Sequence, residues 1–167
     1  MEKKIIYYGH QTLRENSNKI ETFDKELKDF AEEMLNIMTK AKGIGLAAPQ
    51  VNVLKRVITI DITHTYQNIK TILINPVILS SSEKTSPYEE GCLSVPGIYE
   101  IVYRPSSIDV EAYTVEGKKI NFTADSLFAR VIQHEIDHLN GVLFVDYLDD
   151  YLKKEYTKEL KKIRKMN

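Results

Sequence analysis

Residues 125 to 141 run D-S-L-F-A-R-V-I-Q-H-E-I-D-H-L-N-G, and the rest of the chain is best understood outward from them. The segment from Asp125 to Leu139 is predicted to be a helix. Thr123 or Asp125 can cap its start, and Asn140-Gly141 supplies the stop. An earlier helix is expected over Asp24 to Lys42, where Leu27, Phe30, Ala31, Met34, Leu35 and Met38 recur at helical spacing before Gly43. That places Met34 and Met38 in the core. A last helix is expected from about Asp149 to Lys165, with Leu148, Leu152, Tyr156, Leu160 and Ile163 on one face. Between the first two helices, runs rich in Val, Ile, Thr and Tyr predict strands at Val57 to Ile62, Thr71 to Leu79, Ile98 to Tyr103 and Ile108 to Val115. Glu116-Gly117 reads as a hairpin turn into Lys118 to Phe122, and Pro76 argues for a bulge or an edge. The expected fold class is α+β: short, mostly antiparallel strands packed around a central helix, plus an N-terminal and a C-terminal helix.

Bulk properties restrict the function. With 43% hydrophobic and 28% charged residues over 167 positions, one globular domain over residues 1–167 is expected, without repeat or linker. A formal net charge of -1 gives no global attraction to DNA or to an acidic membrane. The N-terminal stretch M-E-K-K-I-I-Y-Y-G-H lacks the long apolar region of a signal peptide, and no apolar run reaches the ~18 residues of a membrane span. A cytoplasmic location is the expectation.

The chemistry centres on H-E-I-D-H, residues 134 to 138. On a helix, positions four apart differ by ~40° and ~6 Å, so His134 and His138 can reach one metal ion while Glu135 meets a water beside it. A catalytic site needs a third protein ligand. One extension of the motif places a histidine six residues after the second, but Phe144 stands there, which disfavours that peptidase class. Glu155 and Glu159 fall among lysines on a solvated helix face, and His10 and His64 are isolated. Cys92, the single cysteine, has no disulfide partner within the chain. It is therefore a buried small side chain, a reactive thiol or a ligand. One thiolate with two imidazoles suits zinc or iron(II).

Three strings together resemble the signature motifs of the peptide deformylases: G-I-G-L-A-A-P-Q (Gly43 to Gln50), E-G-C-L-S-V-P (Glu90 to Pro96) and Q-H-E-I-D-H-L-N-G (Gln133 to Gly141). Their order and spacing match the family, and the likeness extends over nearly the whole chain. The resemblance implies a hydrolase that removes the N-formyl group from the formyl-methionine of new polypeptides. It implies one divalent ion, iron(II) or alternatively zinc, on Cys92, His134 and His138, with Glu135 as general base and acid. Gln50, through its amide, and Leu93, through its backbone N–H, would donate to the oxyanion. Glu90 and Arg104 would form a supporting ion pair, and the backbone at Ile44 and Gly45 would pair with the substrate peptide. The chain departs from the family near its start, where Tyr8-Gly9-His10-Gln11-Thr12 replaces a proline-containing turn before Leu13-Arg14.

The residues suit that reaction. A metal lowers the pKa of its water towards ~7, a carboxylate can take the proton and pass it to the leaving amine, and amide donors stabilise the oxyanion. Leu127 and Val131 share the helix face of His134 and, with Ile44 and Tyr88, are candidates for a methionine pocket. Gln50 is otherwise a loop-capping amide. The last helix carries Lys153, Lys154, Lys158, Lys161, Lys162, Arg164 and Lys165, and the resemblance to bacterial deformylases implies that such a basic helix can dock on the ribosome, where phosphates attract lysines. A peptidase of the H-E-x-x-H type and a non-catalytic metal-stabilised binding module are the competing readings.

Overall fold

The computed structural model describes residues 3–167; Met1 and Glu2, which open the N-terminal stretch, lie outside the described residues. Strands β1 (Gly45–Ala47), β2 (Val57–Asp61), β3 (Lys70–Ser81), β6 (Ser107–Tyr113) and β7 (Lys119–Asp125) lie side by side in that order as an antiparallel sheet. Strands β4 (Thr85–Cys92) and β5 (Val95–Pro105) pair separately as a hairpin. The helices are α1 (Lys25–Lys40), α2 (Ser126–Leu139), α3 (Asp150–Glu155) and α4 (Thr157–Arg164). The fold is α+β, as expected.

Strand β2, V-I-T-I-D, shows why α2 is central. Its side chains alternate between faces, yet Val57 to Ile60 are all buried. Ile58 and Ile60 join a core with Ala129, Ile132, Ile136 and Leu139 of α2. Val57 joins a second core with Leu27, Phe30, Met34 and Met38 of α1, where Thr59 also donates to the Met38 sulfur at 3.6 Å. The two helices therefore cover opposite faces of β2. A third core gathers Val95, Ile98 and Val102 of β5 with Phe144, Leu148 and Ile163, and ties the hairpin to the C-terminal segment.

Several expectations are corrected. The strands are not uniformly short, since β3 has 12 residues and β5 has 11. Two were missed: β1 is only three residues long, and β4 carries Pro87 and two glutamates that mask a strand pattern. The last helix is broken at Tyr156, whose hydroxyl donates to Glu100 of β5. Gly43 does not take the left-handed position after α1, because Lys42 does, with φ 57°. A Cβ at Gly43 would instead meet Leu93 Cδ1 at 2.6 Å, so the glycine answers a close approach. Neither Thr123 nor Asp125 caps α2 with its side chain. The Gln67 side chain does so from a loop, accepting from Phe128 N at 3.0 Å while its Nε2 donates to Asp125 Oδ1 at 3.3 Å.

Other expectations hold. The β3–β6 register shifts between Ile74 and Val77, around Pro76. Thr114 N donates to Lys118 O, which closes the hairpin at Glu116-Gly117. Gly9 takes φ 94° in the turn before Leu13-Arg14, a conformation that glycine adopts without strain.

Candidate metal centre

Cys92 ends β4, and Leu93-Ser94 form a two-residue turn before Val95 pairs back with Cys92. That turn carries the sulfur to the buried face of α2, whose i, i+4 spacing sets the two imidazoles edge to face with centroids 5.0 Å apart. Cys92 Sγ lies 3.3 Å from His138 Nε2, and one ligand atom from each of Cys92, His134 and His138 falls within 4.8 Å of the others. Among the described residues this is the one group of three His, Cys, Asp or Glu side chains so disposed. The set fits an ion: two imidazoles and a thiol converge, and both histidines are buried where an isolated polar nitrogen would be costly.

The alternative ligands stand outside the cluster. His10 Nδ1 accepts from Thr12 N at 3.3 Å, while His64, Glu155 and Glu159 are exposed. Phe144, at the position where another family would have a third histidine, is buried and stacks over His134 with centroids 6.1 Å apart.

Glu90 is the hub behind this cluster. Its Oε1 lies 2.9 Å from His134 Nδ1, which turns the other ring nitrogen towards the cluster. Arg104 donates to the same carboxylate through Nε and Nη2 at 2.7 and 3.0 Å, and Arg130 Nη1 adds a third cationic contact at 2.6 Å. Burial alone would push the Glu90 carboxyl up, but hydrogen bonding to His134 and the Arg104 pair outweigh it and bring it down to about 2. Arg104 also donates to Asp137 Oδ2 at 2.8 Å, where Tyr147 donates as well at 2.9 Å. The Glu90–Arg104 pair was expected from the motif, whereas Arg130, Asp137 and Tyr147 were not. One signal was available for Arg130: a charged residue inside the apolar run L-F-A-R-V-I.

Glu135 is buried on α2, and its Oε2 meets no hydrogen-bond partner within the protein. Burial raises its carboxyl to about 7, with neighbouring Glu90 adding to the rise and His134 opposing it. Opposite it runs β1. A Cβ at Gly45 would fall 2.3 Å from Glu135 Oε1 and 2.8 Å from Val131 Cγ1, so only glycine lets the strand pass this close. The buried Gln50 serves two ends at once. Its Oε1 accepts from Ala47 N at 2.8 Å, the loop-capping role, while its Nε2 faces Cys92 Sγ at 3.5 Å and Ser94 Oγ at 3.2 Å.

A cavity of about 380 Å³ opens over these groups. Gln50, Cys92, Leu93, His134 and Glu135 line it, together with Ile44, Gly45, Tyr88, Leu127 and Val131. His138 lies deeper, 1% exposed. Two strand edges flank the cavity: β1, the outermost strand of its sheet, and β4.

An α+β fold, a helix-borne His-Glu-x-x-His pair and a cysteine brought up from a separate hairpin define a hydrolytic enzyme of the H-E-x-x-H kind. The family model described as polypeptide deformylase matches residues 2–154. The peptide deformylase of Prochlorococcus marinus (strain NATL1A) is 47% identical over 148 residues, covering 88% of this chain and 73% of that protein. The peptide deformylase of Rhizobium meliloti (strain 1021) is 43% identical over 164 residues, covering 95% and 94%. The crystal structure of a Legionella pneumophila peptide deformylase superposes with a TM-score of 0.89 at 39% identity, covering 98% of this chain and 96% of that one. The chain belongs to the polypeptide deformylase family.

Proposed function

We propose that residues 1–167 act as one catalytic domain that hydrolyses the N-terminal formamide of formyl-methionyl polypeptides, releasing formate. The observation carrying this reading is the convergence of Cys92, His134 and His138 beside the buried Glu135, whose Oε2 has no hydrogen-bond partner within the protein. Cys92, His134 and His138 would hold the ion, iron(II) with zinc as the alternative. When bound there, it supplies an acidified water nucleophile and polarises the formyl oxygen.

The chain's own residues do the rest. Glu135, with a carboxyl near 7, is poised to take the water proton and to return it to the leaving amine nitrogen. The Gln50 Nε2 and Leu93 N–H are the donors assigned to the developing oxyanion, and losing one such donor costs roughly 3 kcal/mol in the barrier. That assignment is supported by the Gln50 amide facing the Cys92 sulfur at 3.5 Å. The open edge of β1 at Ile44 and Gly45 would hydrogen-bond the extended peptide. Leu127, Val131, Ile44 and Tyr88 offer the apolar wall for the methionine side chain. The exposed lysines of α3 and α4 are assigned to ribosome docking, in the cytoplasm where new chains emerge.

The test is formate release from a formyl-Met peptide by protein loaded anaerobically with iron(II) or with zinc. Activity with both ions, and its loss in Glu135→Ala with the metal content intact, is expected. A Glu135→Ala enzyme of normal activity would overturn the assignment of the base.

A further inference from the structure

Strand β5 presents two unlike faces. Ile98, Val102 and Arg104 point inward and are at most 4% exposed. Tyr99, Ile101 and Tyr103 stand on the opposite face, 60%, 51% and 67% exposed. Across the hairpin, Ile101 pairs with Glu89 and Tyr103 with Pro87. Tyr99 lies over Gly91, where an added Cβ would meet its ring at 2.5 Å. An exposed apolar row of this length on a small protein marks an interaction surface.

The row is continuous with the cavity. Glu89 pairs in the hairpin and Gly91 and Tyr99 sit at its bulge, and all three also line the cavity. About 380 Å³ is room for a small ligand. A polypeptide held there by its first residue must leave across a rim. Past Lys42 the lining leads onto the exposed, charged end of α1, whereas past Tyr99 it leads along β5 to Ile101 and Tyr103. From Tyr99 to Tyr103 the strand spans about 13 Å, the reach of roughly four residues of extended chain.

We infer that the outer face of the β4–β5 hairpin is a track for the substrate polypeptide downstream of its formylated residue, taking apolar side chains at alternate positions on Tyr99, Ile101 and Tyr103. This rests on the deformylase reading above. It makes the enzyme selective for long, extended substrates over short peptides.

The test compares kcat/KM for a formylated tripeptide and for a formylated octapeptide with apolar side chains at alternate positions. The intact enzyme prefers the octapeptide about fivefold or more, as part-burial of one or two apolar side chains requires. In I101S/Y103S that ratio falls to near one, through KM and not kcat. In L79S, which removes an equally exposed apolar side chain from β3, the ratio is retained. Formate release with equal preference for the two peptides, or a ratio unchanged in I101S/Y103S, overturns the track while leaving the deformylase reading intact. A dimer in sedimentation that I101S/Y103S dissolves overturns it too, because the face would then serve self-association. Absence of formate from either peptide overturns the parent reading and this one with it.

Discussion

At the scale of single residues, Glu90 couples the Cys92–His134–His138 cluster to the scaffold. One carboxylate, 5% exposed, receives Arg104 and Arg130 and fixes the His134 ring. Glu90→Gln is expected to weaken metal binding by about 10- to 100-fold, as loss of a partner behind a ligating histidine does. It should also destabilise the fold by about 3–5 kcal/mol, because buried Arg130 loses its carboxylate partner and Arg104 keeps only Asp137. Chelator competition and urea unfolding read the two effects separately. Gly45→Ala places a methyl group where Glu135 Oε1 now sits, and a displacement of this size is expected to cost about a hundredfold in kcat/KM. A folded Gly45→Ala enzyme with full activity would contradict the close passage of β1. His134, Glu135, His138 and Cys92 were legible in the sequence because their chemistry and spacing are local or exclusive. Arg130, Asp137 and Tyr147 were not, since an ion-pair network joining a strand, a helix and the chain beyond it exists only after folding.

At the scale of elements, α2 is the beam that sets the spacing of His134 and His138, so whatever anchors it shapes the site. Ile132, wholly buried against β2, is expected to cost 2–5 kcal/mol when cut to alanine, without direct contact to the metal. The Gln67 cap should contribute about 1 kcal/mol, which for a chain of this size lowers Tm by roughly 2–4 °C in Gln67→Ala. An unchanged melting curve would show that solvent caps α2 as well. Periodicity identified α1 and placed its buried face, with Leu35 only partly buried, whereas the Asn140-Gly141 stop marked the end of α2. It could not identify the Gln67 cap, which comes from a loop distant in sequence. It also missed β1 and β4, because three residues carry too little periodicity and because the β4 strand mixes Pro87, Tyr88 and two glutamates on a half-exposed hairpin.

At the scale of the whole molecule, a net charge of -1 conceals a concentration of lysines on α3 and α4. If this surface meets ribosomal phosphates, co-sedimentation with ribosomes falls steeply with salt and is lost in Lys158→Glu/Lys161→Glu/Lys162→Glu. Binding that survives both changes would remove the contact. The break at Tyr156 was invisible to periodicity because the apolar face continues through it, and only the bond to Glu100 on β5 distinguishes it. The account as a whole stands on the hairpin and α2 meeting at one ion. X-ray absorption at the metal edge of the loaded protein tests this most directly. The prediction is one sulfur at ~2.3 Å with two imidazole nitrogens at ~2.0–2.1 Å, the sulfur vanishing in Cys92→Ser. A shell of nitrogen and oxygen alone in the unaltered protein would contradict it.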